Sequence, residues 1–151
     1  MTYTVGEMAK LLGVAPSALR YYDKEGLLPF VERSPGGMRV FHEQDYEWLK
    51  DIECLKHTGM PIKDIKRYID LAMQGDATIE ERLELFVRQR EVIRQQMKDL
   101  QQTLDMLEFK CWYYETARAV GTTEIPRDMP PEELPERYRE TRRRMREIPQ
   151  V

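Results

Sequence analysis

Apolar positions fall in short helical bursts near the start of the chain and in a long seven-residue repeat through its second half. Val5, Met8, Ala9 and Leu12 share one helical face, and Gly13 can take the positive φ of a turn. Val14 plugs the corner, Pro16 suits the first turn of a second helix, and Leu19 and Tyr22 of that helix can face inward. Residues 4–25 therefore predict two short helices around a tight turn, with the small Ala9 where they cross. Residues 30–41 hold Ser34, Pro35, Gly36 and Gly37 between short apolar ends, which predicts a β-hairpin. Within 43–73 the stripe Tyr46, Trp48, Leu49, Ile52 and Leu55 ends at Gly59, and Pro61 restarts a helix bearing Ile62, Ile65, Tyr68, Ile69 and Leu71.

Residues 74–76 break the pattern, and the heptads begin at Ile79. Ile79, Phe86, Ile93, Leu100 and Leu107 occupy d, while Leu83, Arg90, Met97, Leu104 and Cys111 occupy a. A helix over 77–118 results, and its forty or so residues would span roughly 60 Å. The seam formed by Leu83, Phe86, Ile93, Met97, Leu100, Leu104 and Leu107 needs a partner helix to cover it, so a coiled-coil dimer is expected. Arg90 weakens the seam but can fix register and partner number; the heptads leave the helix direction open. Residues 119–151 form a short tail: a proline-rich stretch that predicts a loop, then six arginines against Glu140 between 137 and 146, a local +5. That charge fits a nucleic-acid contact, pairing with the acidic segment before it, or a solvated helix.

On the second helix Ser17, Arg20, Tyr21 and Lys24 point away from the packing face and form a candidate face for reading a DNA groove, with Tyr22 divided between packing and contact. Thr4 opens the first helix and joins the candidate DNA contacts. Arg33 and Arg39 flank the hairpin tip within reach of phosphates, and Lys63 and Lys66 sit near a helix start whose amides also favour phosphate. The runs TVGEMAKLLGV, LRYYDKEGLLP, GGMRVF and TGMPIKDI, in this order and spacing over residues 2–73, resemble the amino-terminal winged-helix domain of the MerR family of bacterial transcription regulators.

The resemblance implies a mainly α fold: a winged helix-turn-helix DNA-binding head over 1–73, a long coiled-coil dimerisation helix and a short C-terminal effector tail. It further implies an antiparallel homodimer on double-stranded promoter DNA, with Arg39 on the backbone and RNA polymerase as a partner at the promoter. Family members bend and untwist promoters whose polymerase elements are badly spaced, so activation is deformation, with repression possible at rest. Ala15 departs from the pattern, because members often place a serine or threonine there to cap the recognition helix.

Composition adjusts this picture. The 24 basic and 27 acidic residues give a net charge of −3, and residues 1–75 carry 10 basic against 11 acidic side chains. Bulk positive potential is thus absent, although a specific reader needs only a local basic cluster. There is neither an 18-residue apolar run nor a signal segment, so a cytoplasmic protein without a membrane partner is expected. Two histidines, no Gly-rich phosphate loop and no nucleophile–base pair at motif spacing argue against catalysis. A DNA-architectural or coiled-coil interaction protein without an inducer is the alternative that the heptads alone would support.

The effector is sought among the cysteines and aromatics. Cys111 has no second cysteine after it, and Cys54 with His57 makes only two ligands, so neither a metal nor another cofactor is expected. Cys54 lies about 150° from the centre of its helix's apolar stripe, which places it at the surface or against a neighbour. Lys50 and His57 can favour its thiolate, whereas Asp51 and Glu53 oppose it. The setting resembles the family branch that senses aldehydes or related electrophiles through one cysteine; an inert packed thiol is the other reading. Cys111, Trp112, Tyr113 and Tyr114 offer an aromatic patch for an apolar or cationic small molecule at the dimer interface, or simply cover the coiled-coil end.

Overall fold

The computed structural model describes residues 1–148 and divides into two compact units, Met1–Glu91 and the remainder from Val92 onward. The first unit begins with strand β1 (Thr2–Tyr3) and helices α1 (Val5–Leu12) and α2 (Pro16–Lys24). Thr4 caps α1 in a reciprocal box: its hydroxyl accepts the Glu7 N–H while the Glu7 carboxylate accepts the Thr4 N–H at 2.8 Å. These bonds from Thr4 hold the Glu7 carboxyl below its ordinary range. Gly13 closes α1 at φ 71°, the left-handed conformation that only glycine adopts without strain. Ala15 then precedes α2 without a side-chain cap, as its missing hydroxyl requires, and Pro16 starts the helix.

Strands β2 (Glu32–Arg33) and β3 (Arg39–His42) form the hairpin, and β1 adds to the other side of β3, giving an antiparallel sheet in the order β1-β3-β2. The register pairs Tyr3 with Phe41 and Arg33 with Arg39. β1 is a strand that the sequence pattern does not announce, since two residues cannot display alternation. Helices α3 (Asp45–His57) and α4 (Ile62–Met73) complete the core with Leu49, Ile52, Leu55, Ile65 and Ile69, closed over Met8, Leu19, Tyr22, Leu27 and Phe41. The buried Asp45 carboxylate accepts the His42 N–H at 2.7 Å and joins the hairpin to α3. Gly26, at φ 76°, lies under the Lys66 stem, where a Cβ would come within 3.0 Å of Cε.

A 3₁₀ turn (Gly75–Thr78) leads into the 42-residue helix α5 (Ile79–Val120). Its first turns belong to the head: Phe86 packs edge-on against Tyr68 at 5.0 Å, and the Gln89 amide donates to the Thr58 carbonyl at 2.9 Å.

In the second unit, the stretch predicted as a loop contains a short helix α6 (Glu124–Asp128), followed by α7 (Glu136–Arg146). The tail builds a second core with α5: Phe109 meets Trp112 at 5.9 Å, Tyr138 of α7 meets Trp112 at 5.5 Å, Leu134 is buried, and Met129, just after α6, packs against them. The architecture is the mainly α winged helix-turn-helix with a long helix that the sequence predicts, and among the described residues no helix is long and apolar enough to cross a membrane.

Candidate nucleic-acid interface and sensing residues

Helix α2 turns Leu19 and Tyr22 into the core and leaves Ser17, Arg20, Tyr21 and Lys24 exposed, Tyr21 by 44 %. A helix with Pro at its start and a polar outer face can lie in a major groove, where side chains from its first turns reach base edges. Arg20 also lines an open groove of about 490 Å³ together with Thr4, Arg39 and the start of α1. The structure thus brings Thr4, Arg20 and Arg39 to one surface. The Thr4 hydroxyl is committed to the cap, where it also donates to Glu7 at 2.9 Å, so Thr4 acts on that surface chiefly by setting the start of α1.

Tyr22 requires a correction. Its side chain is 0 % exposed, and its hydroxyl donates to Glu53 of α3 while accepting from Lys56 at 3.1 Å. Burial, then the Glu53 carboxylate, raises its pKa far above the ordinary tyrosine value. Tyr22 therefore joins α2 to α3 and leaves the reading face to its neighbours. Helical spacing already turns Tyr22 toward the packing face; the Glu53 partner that takes its hydroxyl out of the groove is what spacing does not show.

Both hairpin arginines converge on Asp23 of α2. Arg33 donates to it at 2.7 Å, Arg39 donates through Nε at 2.8 Å, and Arg33 also reaches the Gly37 carbonyl at 3.1 Å. Without DNA, Asp23 is the counter-charge that holds the two cations beside α2, a role the spacing did not reveal. Lys63 is exposed at the start of α4, and Lys66 pairs instead with Asp70 at 2.8 Å.

Cys54 is exposed on the outer face of α3. Its neighbourhood departs from the expected one: Lys50 lies over the Tyr46 ring, 5.8 Å from the centroid, rather than being free to face the thiol. Glu53 is held by Tyr22, and Asp51 accepts from Tyr68 at 3.4 Å, so both carboxylates face partners on other helices. Glu53 and Lys56 tie α3 to α2, and Thr58 ties the end of α3 to α5 through Gln89, so Cys54 sits on the segment bridging these two connections.

Along α5 the seam is largely uncovered in the single chain: Leu83, Phe86, Met97, Leu100, Leu104 and Leu107 are exposed, and Ile93 is half-buried. Cys111 is exposed as well. The aromatic patch after it is mostly used internally, since Trp112 and Tyr113 pack with Phe109, Tyr138 and Met129, and only Tyr114 stands free of that core at 59 % exposure. No group of three or more potential metal ligands occurs among the described residues.

Comparison with known proteins matches this geometry. The family model for MerR HTH family regulatory proteins covers residues 3–72, and that for MerR, DNA binding, covers residues 46–108. An HTH-type transcriptional regulator of Haemophilus influenzae is 47% identical over 122 residues, 81% of this chain and 90% of its own length. The HTH-type transcriptional regulator AdhR of Bacillus subtilis is 33% identical over 87 residues, 58% of this chain and 62% of its own. Among solved structures, HiNmlR, a MerR family regulator lacking the sensor domain and bound to promoter DNA, matches with a TM-score of 0.68 at 46% identity, over 82% of this chain and 98% of that one. A putative MerR family regulator from Listeria monocytogenes matches with a TM-score of 0.72 at 29% identity, over 79% and 90% of the two chains. The chain belongs to the MerR family of helix-turn-helix, DNA-binding transcriptional regulators.

Proposed function

We propose that two copies pair through the α5 seam as an antiparallel coiled coil and grip promoter DNA with two α2 helices set one helical turn, about 34 to 36 Å, or a multiple of it apart. The observation that carries this reading is the coexistence of an exposed polar face on α2 with an uncovered heptad seam on α5. Arg20, Tyr21 and Ser17 enter the groove, Lys24 and Lys63 approach phosphates, and Arg33 and Arg39 exchange Asp23 for the backbone. Deforming the promoter then presents its elements to RNA polymerase. The likeness to a regulator that is bound to promoter DNA supports the partner assigned here.

The signal enters at Cys54. An electrophile such as an aldehyde adds to the thiolate, and the adduct displaces α3 between its tie to α2 and its tie to α5. An apolar or cationic inducer at the dimer interface is less well served, because the tail already covers Trp112 and Tyr113. The test is in vitro transcription from the cognate promoter with and without an aldehyde. Cys54→Ser should bind the promoter as the parent does and lose the response; a full response would remove the thiol from the account. Arg20→Ala should weaken promoter binding by about 1 to 3 kcal/mol, and unchanged affinity would take Arg20 off the reading face.

A further inference from the structure

Helix α7 carries a cationic groove that the DNA-reading account does not use. The groove, lined in part by Pro131 and by the ion-paired Arg143, holds about 660 Å³ within the second unit, and three further arginines, Arg139, Arg142 and Arg146, line it. These arginines stand at i, i+3 and i+7, one face of the helix. Each is held by main-chain carbonyls of the preceding proline-rich segment. Arg139 donates to Leu134 and Glu132, both at 3.0 Å; Arg142 donates to Met129 and Arg146 to Arg127, both at 2.6 Å.

The acidic residues of that segment therefore contribute a backbone carbonyl where side-chain pairing was one expectation for the arginines. Their neighbours behave differently: Arg143 and Arg144 both pair with Glu140 at 2.8 Å, and Arg143 also reaches Glu147. The side chains of Asp128 and Glu132 act on Arg146 and Arg142 through space, without a direct hydrogen bond to either guanidinium.

A carbonyl fixes a guanidinium fork without neutralising its charge. Each fork has five N–H donors, and the four carbonyl bonds leave most of them unspent. Arg142 is only 6 % exposed; burial and then the nearby Arg146 lower its pKa, and the Glu132 carboxylate offsets them only in part. Three oriented, incompletely compensated guanidinium groups facing one groove match a compact tetrahedral dianion, which accepts paired N–H bonds from several sides. Glu136, Glu140 and Glu147 also line the groove; Glu140 is paired with Arg143 and Arg144 and Glu147 with Arg143, and the carboxylates together oppose a long polyanion more than a compact dianion held by the three forks.

We propose that this groove binds a phosphate dianion, either the free ion or the terminal group of a small phosphate monoester. Bound there, the anion bridges α7 to the segment before it and fixes the tail on the second core.

The experiment titrates the full-length protein with inorganic phosphate and with glycerol 3-phosphate, against sodium chloride at matched ionic strength. Calorimetry and the arginine Nε–H resonances are read together. Saturable binding that shifts the Arg139, Arg142 and Arg146 resonances is expected. Arg146→Gln should weaken it roughly tenfold or more, while Arg118→Gln, on α5 and outside the groove, should leave it unchanged. Tighter binding of the ester would identify an organic phosphate, and equal binding the free ion; both support the site. A response that follows ionic strength alone, or shifts spread over all arginines of the unmodified protein, would overturn it. So would an Arg146→Gln protein that has lost only affinity for non-operator duplex, because the groove would then serve nucleic acid. The resonance readout uses the unmodified chain, so the proposal stays testable even if a variant loosens the tail.

Discussion

Replacing Leu100 with Asp should separate the dimer while leaving each head folded. Leu100 is 71 % exposed in the single chain and Met97, one turn earlier, 66 %, and neither belongs to a core cluster. In the proposed dimer their apolar surface finds its cover across the seam. Burying a leucine contributes about 1.5 to 3 kcal/mol, and a symmetric dimer loses it twice, roughly 3 to 6 kcal/mol before the cost of placing a carboxylate in the seam. The dimer dissociation constant should therefore rise by about two to four orders of magnitude or more.

Sedimentation equilibrium over a range of concentrations reads this directly, and amide NMR dispersion reports whether the head survives. Leu100→Met keeps volume and apolarity, and it should change dimer stability by less than about 1.5 kcal/mol. A Leu100→Asp protein that sediments as a dimer with an unaltered constant would refute the heptad assignment. A protein that loses the head fold as well would show that Leu100 has a role within the chain.

Other consequences can be measured independently. Asp23→Asn removes the shared partner of Arg33 and Arg39; the half-exposed Arg33 bond contributes little and the shielded Arg39 bond more, so urea unfolding of the head should show a loss of about 1 to 2 kcal/mol. The same substitution should steepen the salt dependence of DNA binding, and an unchanged log–log slope would argue against the exchange of Asp23 for phosphate. Tyr138→Ala opens the second core against Phe109 and Trp112, at a local cost of about 3 to 5 kcal/mol. In a Trp48→Phe background Trp112 emission should shift to the red, and an unmoved spectrum would mean the tail does not depend on this contact. Glu140, held by Arg143 and Arg144, has its pKa lowered from 4.5 to about 2. Its contribution to the tail is therefore complete above the ordinary value and is lost as pH falls toward 2. A ¹³C titration of Glu140 should have its midpoint near 2 and move toward 4.5 in Arg144→Gln; a midpoint already at 4.5 would contradict the ion-pair geometry.

The head was legible because its signals are local. Gly13 and Pro16 punctuate two helices, the serine–proline–glycine turn makes a hairpin, and the buried stripes follow the 3.6-residue period. The long helix is equally plain, because its heptad repeat runs through α5, and the apolar stripe it leaves uncovered is the surface that the proposed dimer would use. What escaped depends on contacts between distant segments. Asp23 takes a role only once the hairpin folds over it, and Tyr22, divided by its spacing between packing and contact, is assigned to packing only when Glu53 of α3 meets its hydroxyl.

The tail was the least legible part, since its prolines suggest a loop and its arginines suggest solvent. One signal was available: Phe109, Trp112 and Tyr113 fall at f, b and c of the heptads, the side facing away from the seam, where large aromatic rings need a cover of their own. Leu134 and Tyr138 provide it. The patch proposed for a ligand is in large part the floor of this second core.

Hydroxyl-radical footprinting of the cognate promoter by the full-length protein tests most directly whether paired α2 helices read one operator. Two protected patches on the same face of the duplex, centred about 34 to 36 Å or a multiple of that distance apart, are expected, both fading together in Arg20→Ala and in Leu100→Asp. A single patch, or protection that survives both substitutions, would contradict the account.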